Sequence, residues 1–444
     1  MKDKKLSDAV EIVFETDGRF SDWFGYYNYD PLNHDQTKML CNRAPIDGVA
    51  PERGVEIELG YYDIKTGEWH HIGYSDSWNW QQGAMMQWIP GHGNENKVIY
   101  NCSRGGHLIS KIVDISTGET QILNWPIYGL TPDGKNSITL NLERSYWCRA
   151  YHYESVINPA YDCLVPEDDG IFVIDLEKNE RKRIVTIQSI ISKDYRPEFE
   201  QMKHWVEHIM VNNEGTKFCF LHRFSPDFNV NLYQTRLFIA DIDGENLQII
   251  DNWDKVDWSH FGWNGKDFAI YTVQNNLVAS TYKDLGKAST NKLSIKKVVF
   301  RLAARLSRLL PASLRRKLKG GKAYYQYYRL SDTGEYVLLE AFDDPLFNID
   351  GHPSFTNDHR YMITDSYPDD KQYQRLIVFD SETHRGMLLA KFYAYYHKNP
   401  ASCDLHPKLC RNNDFVVVDS AYNERHHMVM MRLDWDKIKK QISR

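Results

Sequence analysis

The sequence predicts an all-β protein, and two observations carry that expectation. Aromatic residues make up 13% of the 444 residues, with 28 Tyr and 12 Trp, and aromatic side chains favour the pleated, half-buried surface of strands. A paired cue also recurs along the chain, in which a polar turn leads into an apolar strand and a second strand follows that ends in Asp before another polar turn. The pairs are 29–42 with 59–69, 88–101 with 111–123, 130–141 with 171–184, 211–223 with 237–249, 262–272 with 327–339, 355–365 with 375–386, and 409–420 with 427–436. Seven units of about 60 residues, punctuated by Gly, Asn and Asp turns, predict a seven-bladed β-propeller spanning 1–444 as one domain, because four-stranded blades close radially and leave few free edges. A large β-sandwich or a pair of β domains is the competing architecture. A β-helix would need a shorter period.

The fifth unit is stretched by an insertion at 292–322 with helical periodicity. Ile295, Val298, Val299, Leu302, Leu306, Leu309 and Leu310 fall on one face, and Lys296, Lys297, Arg301, Arg305 and Arg308 on the other, before Pro311 ends the helix. This segment holds eleven Lys/Arg and no Asp/Glu. A basic amphipathic helix of that kind suits an anionic membrane surface, each cation near the headgroups contributing up to about 1 kcal/mol. The alternative is a helix that packs its apolar face on the propeller or on a second subunit.

Composition narrows the function classes. With 42% hydrophobic and 26% charged residues the chain is neither disordered nor fibrous. Net charge is −6 with the basic insertion included, so the remainder is strongly acidic and nucleic acid is not an expected partner. Seven cysteines without framework spacing point to reduced thiols. The first twenty residues lack an apolar stretch of signal-peptide length, being interrupted by Asp8, Glu11 and Glu15, and no run reaches the roughly 18 apolar residues of a membrane span. The expectation is a cytoplasmic protein, peripheral at the inner membrane if the basic helix binds there.

Particular strings then become recognisable: SWNWQQGAMMQW (77–88), PIYGLTPDGK (126–135), GIFVIDL (170–176), FCFLHRF (218–224), GHPSFTNDHRYMITDSYPD (351–369) and CDLHPKLCRNNDFVVVDS (403–420). Together they resemble the propeller-type polysaccharide lyases, the oligogalacturonate lyase and ulvan lyase groups and their bacterial relatives, over most of the chain outside the insertion. GHPS and DLHP are the more specific strings, whereas TPDGK is a general blade signature. The resemblance implies a site at the propeller axis that binds an acidic oligo- or polysaccharide and eliminates across a uronic acid. That chemistry requires a cation or Arg against the carboxylate, a His or Tyr to take the neighbouring proton, and an acid for the leaving oxygen. It also implies a divalent metal among histidines at blade starts, matching His260, His352 and His406 here.

Without the family these histidines still draw notice, because each sits just upstream of a turn opening an inner strand in units five, six and seven, and His208 holds a similar place in unit four. Successive blades present such positions to a common axial pocket. Three imidazoles suit zinc, with Cys403 as a candidate fourth ligand, and manganese and calcium are the other candidate ions. His208 is a fourth ligand or the base. Any one such histidine is also explained as a strand-end residue bonded to backbone. Arg223 and Arg149 are candidates for the bidentate recognition of a carboxylate, with Tyr151 and Tyr153 beside Arg149 for proton transfer and substrate contact. His107 follows two glycines, as a catalytic histidine does in ulvan lyase-like proteins, but MMQWIPG lacks that group's second histidine. Trp80 and Gln82, with Trp78 and Gln81, either stack on sugar or pack between blades. No dinucleotide fingerprint, phosphate loop, nucleophile elbow or HExxH is present.

The expected function is therefore a polysaccharide lyase acting on a uronic-acid-containing glycan by β-elimination. A membrane-associated glycosyl-transferring or glycan-trimming enzyme of surface-polysaccharide assembly is one alternative. A non-catalytic propeller that binds glycan or protein is the other.

Overall fold

A computed structural model of the chain describes residues 3–144, 153, 163–225, 233–250, 253–274, 322–396 and 401–443. Seven antiparallel sheets succeed one another along the chain, six of four strands and one of five, and form a seven-bladed β-propeller. The innermost strands of blades 1 to 7 are Ser21–Trp23, Gln87–Trp88, Gly129–Leu130, Lys203–Val211, Val256–Asn264, Ser354–Phe355 and Lys408–Leu409. The recurrent pairs of the sequence are mostly the second and third strands of these blades. Those strands are apolar on both faces because each blade is sandwiched between two others. Phe218–Leu221 and Leu237–Ala240 of blade 4, for example, are entirely buried. The core is accordingly distributed around the ring, in clusters between neighbouring blades rather than at one centre.

The Asp that ends the third strand has a local cause. Asp63, Asp114 and Asp175 each accept a backbone N–H two or three residues on, from Thr66 (2.8 Å), Ser116 (2.9 Å) and Lys178 (2.9 Å), which closes the hairpin to the fourth strand. Asn33 and Asn212 act similarly between first and second strands, accepting from Thr37 and Thr216 at 2.9 Å.

Ring closure uses both ends of the described chain. Val10–Glu15 is the outermost strand of blade 7, paired with His427–Leu433, and Lys4–Leu6 adds a fifth strand to blade 6 against Arg385–Tyr393. The helix Trp435–Ile442 follows, capped by Asp434 and burying Ile438 and Ile442.

The predicted insertion 292–322, with Lys296, Lys297, Arg301, Arg305 and Arg308, lies outside the described residues except for Lys322. Its flanks are clear. Asp267–Gln274 and Ala323–Leu330 are adjacent strands of blade 5, and Gln274 N–H donates to the Lys322 carbonyl at 2.9 Å, so the intervening chain leaves and returns at one point. No helix among the described residues is long and apolar enough to cross a membrane.

Candidate functional site

Two bulges aim histidines at the axis. In blade 4 the pairing passes from Glu207↔Leu221 to Met210↔Cys219, so His208 and Ile209 oppose Phe220 alone. In blade 5 it passes from Trp258↔Thr272 to Phe261↔Ile270, so Ser259 and His260 oppose Tyr271 alone. An extra residue of this kind redirects a side chain out of the ladder, and His208 takes a left-handed φ of 55° in the process. His352 and His406 lie just ahead of the short innermost strands of blades 6 and 7, His406 also at positive φ (43°).

The four rings converge. Centroid distances are 5.9 Å for His208–His260, 4.0 Å for His260–His352 and 4.3 Å for His352–His406. Tyr26 and Tyr27, which follow the innermost strand of blade 1, complete the cluster. Tyr26 stacks on His208 at 5.3 Å with its hydroxyl against Nδ1, and Tyr27 lies 5.0 Å from His352. The chain can turn in here because Gly25 has φ 121° and a Cβ on it would meet the Gln82 carbonyl carbon at 2.7 Å.

The hydrogen bonds set how the imidazoles face one another. His352 Nδ1 lies 2.8 Å from Asp365 Oδ1, His406 Nδ1 lies 2.9 Å from the Gly25 carbonyl, and His260 Nδ1 lies 3.3 Å from Asp350 Oδ1. His260 Nδ1 also lies 3.1 Å from the Ser259 hydroxyl, which donates or accepts. Carboxylates and carbonyls only accept, so in His352 and His406 Nδ1 is the protonated nitrogen and the Nε2 lone pair is left to the site. That is the orientation of metal-binding histidines with an oxygen partner behind them. His352, Asp404 and His406 each offer a ligand atom, all within 4.8 Å of one another. His352 Nε2 is buried without a hydrogen-bond partner. An orphaned imidazole nitrogen beside a second imidazole and a carboxylate fits a divalent transition cation.

Burial dominates the electrostatics. It pushes the His352 and His406 imidazoles well below their ordinary range, helped at His352 by His260 and Lys408 and at His406 by His352, Lys408 and His260. It pushes the carboxyls of Asp365 and Asp404 up to about 7, Asp404 being raised further by Asp365 nearby. Tyr27, whose hydroxyl donates to the Phe261 carbonyl at 2.6 Å, is pushed well above its usual value by burial, which makes it a poor base. Beside the histidines, Glu207 bridges His208 (3.4 Å) and Arg223 (2.8 Å) and accepts from the Trp205 indole at 2.6 Å. The Arg223 guanidinium lies over the Tyr233 ring at 4.4 Å.

Other residues singled out in the sequence are placed differently. Cys403 is buried, its thiol held protonated by burial, and its Sγ faces the Asp404 carbonyl at 3.9 Å. The carboxylate next to it in the chain, Asp404, is the residue grouped with the imidazoles. Trp78 and Trp80 are packed within the protein. Their indoles donate to Val55 and Val49 carbonyls at 2.8 Å, and Trp80 stacks on His426 at 4.2 Å. Gln82 is buried between two tyrosines, donating to Tyr128 and accepting from Tyr153 at 3.0 and 3.2 Å. His107 is exposed on the third strand of blade 2, beside Glu143 at 3.2 Å. Arg149 and Tyr151 lie outside the described residues. Tyr26, Tyr27, Glu207, Asp350, Asp365 and Asp404 escaped the sequence reading. Asp404 was two residues from the signal, in the DLHP string itself.

No protein-family model matches the sequence, and no curated protein sequence does. Among solved structures, oligogalacturonate lyase from Vibrio parahaemolyticus superposes with a TM-score of 0.57 at 14% identity, over 97% of this chain and 96% of that one. Oligogalacturonate lyase in complex with manganese superposes with a TM-score of 0.60 at 13% identity, again over 97% and 96%. At that identity the likeness establishes the fold.

Proposed function

We propose that this propeller is a carbohydrate-active enzyme that cleaves a uronic-acid-containing glycan by β-elimination, with a divalent cation held by His260, His352, His406 and Asp404. The observation that carries the proposal is the convergence of three imidazoles, each with an oxygen partner at Nδ1, and a buried carboxylate, Asp404, within ligand distance of two of them. The end-to-end likeness to an oligogalacturonate lyase structure that contains manganese supports the same assignment. A set of nitrogen donors with one carboxylate favours manganese or zinc over calcium, which prefers oxygen. When bound, the cation supplies neutralisation of the uronate carboxylate as negative charge develops beside it.

The chain's own residues handle the proton. His208, in contact with the Tyr26 hydroxyl on one nitrogen and near Glu207 on the other, is the proposed base. Its Nδ1 takes the Tyr26 hydroxyl proton while the Tyr26 oxygen takes the proton from the carbon next to the carboxylate, that electron pair becomes the new C=C bond, and the C–O bond to the departing sugar breaks. The departing oxygen gains a proton from the Tyr26–His208 pair, so no water is consumed. Arg223, held by Glu207, is the proposed second cation for the acidic substrate.

The test is ultraviolet detection of unsaturated uronate from galacturonate-, glucuronate- and iduronate-containing glycans incubated with manganese-loaded protein. Product should appear with at least one glycan, and His208→Ala should lower its rate by roughly 10²–10⁴-fold, the usual contribution of a general base, without lowering metal content. Metal-loaded protein that yields no unsaturated product from any of them overturns the proposal. A second reading, a binding propeller with a structural metal at its axis, is favoured by the burial of His352 (0% exposed) and His406 (2%). It is selected by that same negative result.

A further inference from the structure

Asp365 ends the second strand of blade 6, Tyr361–Asp365, and its carboxylate is 2% exposed. Three N–H groups from two blades meet on it. Oδ1 accepts the backbone N–H of His352 at 2.7 Å and faces His352 Nδ1 at 2.8 Å, while Oδ2 accepts the backbone N–H of His406 at 3.1 Å. The first contact fixes where the His352 backbone sits, the second fixes which ring nitrogen carries the proton, and the third ties the neighbouring blade's histidine to the same group. No other residue described here reaches both histidine backbones through one carboxylate. The approach is so close that residue 351 is glycine, since a Cβ there would lie 2.0 Å from the Asp365 carbonyl oxygen.

We infer that Asp365 is a positioning residue that holds His352 and His406 in register across the blade 6–blade 7 boundary and keeps the His352 Nε2 lone pair facing the site. The inference rests on the metal reading above, and Asp365 is not itself grouped with the ligand atoms. Its chemistry cannot be reproduced by the amide of the same shape. Asparagine presents one acceptor oxygen and one NH₂, so it serves either His352 or His406 and sets a donor against the N–H of the other. Partners behind metal-binding histidines typically change metal affinity by 10–100-fold.

The experiment compares manganese binding to wild-type protein and Asp365→Asn by calorimetric titration, alongside thermal unfolding of both without metal. A 10–100-fold weaker dissociation constant, in a variant that unfolds at a lower temperature but is still folded under the titration conditions, is the expected result. Equal affinity in the two proteins overturns the inference while leaving the metal reading intact. Wild-type protein that takes up no manganese overturns both. Should the variant fail to fold, ¹⁵N spectra of the wild-type histidine rings decide: His352 protonated at Nδ1 supports the clamp, and His352 protonated at Nε2 overturns it.

Discussion

His208 is the first and His260 the second residue of its bulge, and the sequence exposed both as histidines just upstream of the turn that opens an inner strand. His352 and His406 were legible for a related reason, as polar residues just before a short strand. The carboxylates behind them were not. Asp365 lies on a second strand whose other residues are plain core, and its partners are 13 and 41 residues away in sequence. Asp404 was overshadowed by the adjacent thiol, which is the more conspicuous ligand in a sequence but is held protonated by burial here. Gly351 yields a prediction at this scale. In Gly351→Ala the new methyl meets backbone rather than a movable side chain, so the loop carrying His352 must shift. A loss of about 1–3 kcal/mol, the usual cost of overpacking, is expected in urea unfolding, together with weaker manganese binding. A variant as stable as wild type would show that the close approach is not needed.

Among the elements, second and third strands were readable because burial on both faces writes a continuous apolar run and an Asx turn closes it. Innermost strands of two residues, such as Gln87–Trp88 and Lys408–Leu409, are too short to carry a period. The place of Val10–Glu15 in blade 7 was hidden as well, because its partner lies more than four hundred residues away and only ring closure brings them together. Blade 4 holds a further element-scale feature outside the axial cluster. Arg236 Nε donates to His222 Nδ1 at 3.1 Å, His222 Nε2 therefore donates to His204 Nδ1 at 3.0 Å, and His204 Nε2 donates to the Phe199 carbonyl at 2.8 Å. Arg236 also caps the short helix Ile187–Ser192 through the Ile190 carbonyl at 2.9 Å. Burial lowers the His204 pKa to about 4 and holds His222 well below its ordinary range. The unfolded chain takes up protons on both near pH 6.5, which the folded chain refuses. Their contribution to stability is thus present in full above pH 6.5 and is lost as the pH falls toward 4, by about 1.4 kcal/mol per proton and pH unit. Other groups titrate in the same range, so the measurement is the stability difference between wild type and the His204→Gln/His222→Gln variant. That difference should shift in the variant's favour between pH 7 and pH 5, and a shift in favour of wild type would contradict the assigned network.

For the whole molecule, the number of blades followed from counting turns, whereas the face that carries the site followed only from the coordinates. Val256, at the start of the innermost strand of blade 5, pairs with Gln274. The entry ends of the innermost strands, where His352 and His406 sit, therefore share a face with the strand ends flanking 275–321. The basic character of the predicted insertion 292–322 was plain in the sequence, but that the strand ends flanking it lie on the face of His352 and His406 needed the ring. The likeness to oligogalacturonate lyases runs the length of the chain at 13–14% identity. A scaffold shared that distantly leaves chemistry to the side chains at the axis, where blades 5, 6 and 7 are proposed to build one metal centre. Anomalous diffraction from a crystal grown with manganese measures this most directly. One strong peak among the Nε2 atoms of His260, His352 and His406 and the Asp404 carboxylate is the predicted result. An axis without a peak at saturating manganese, or a peak held by other residues alone, would contradict it.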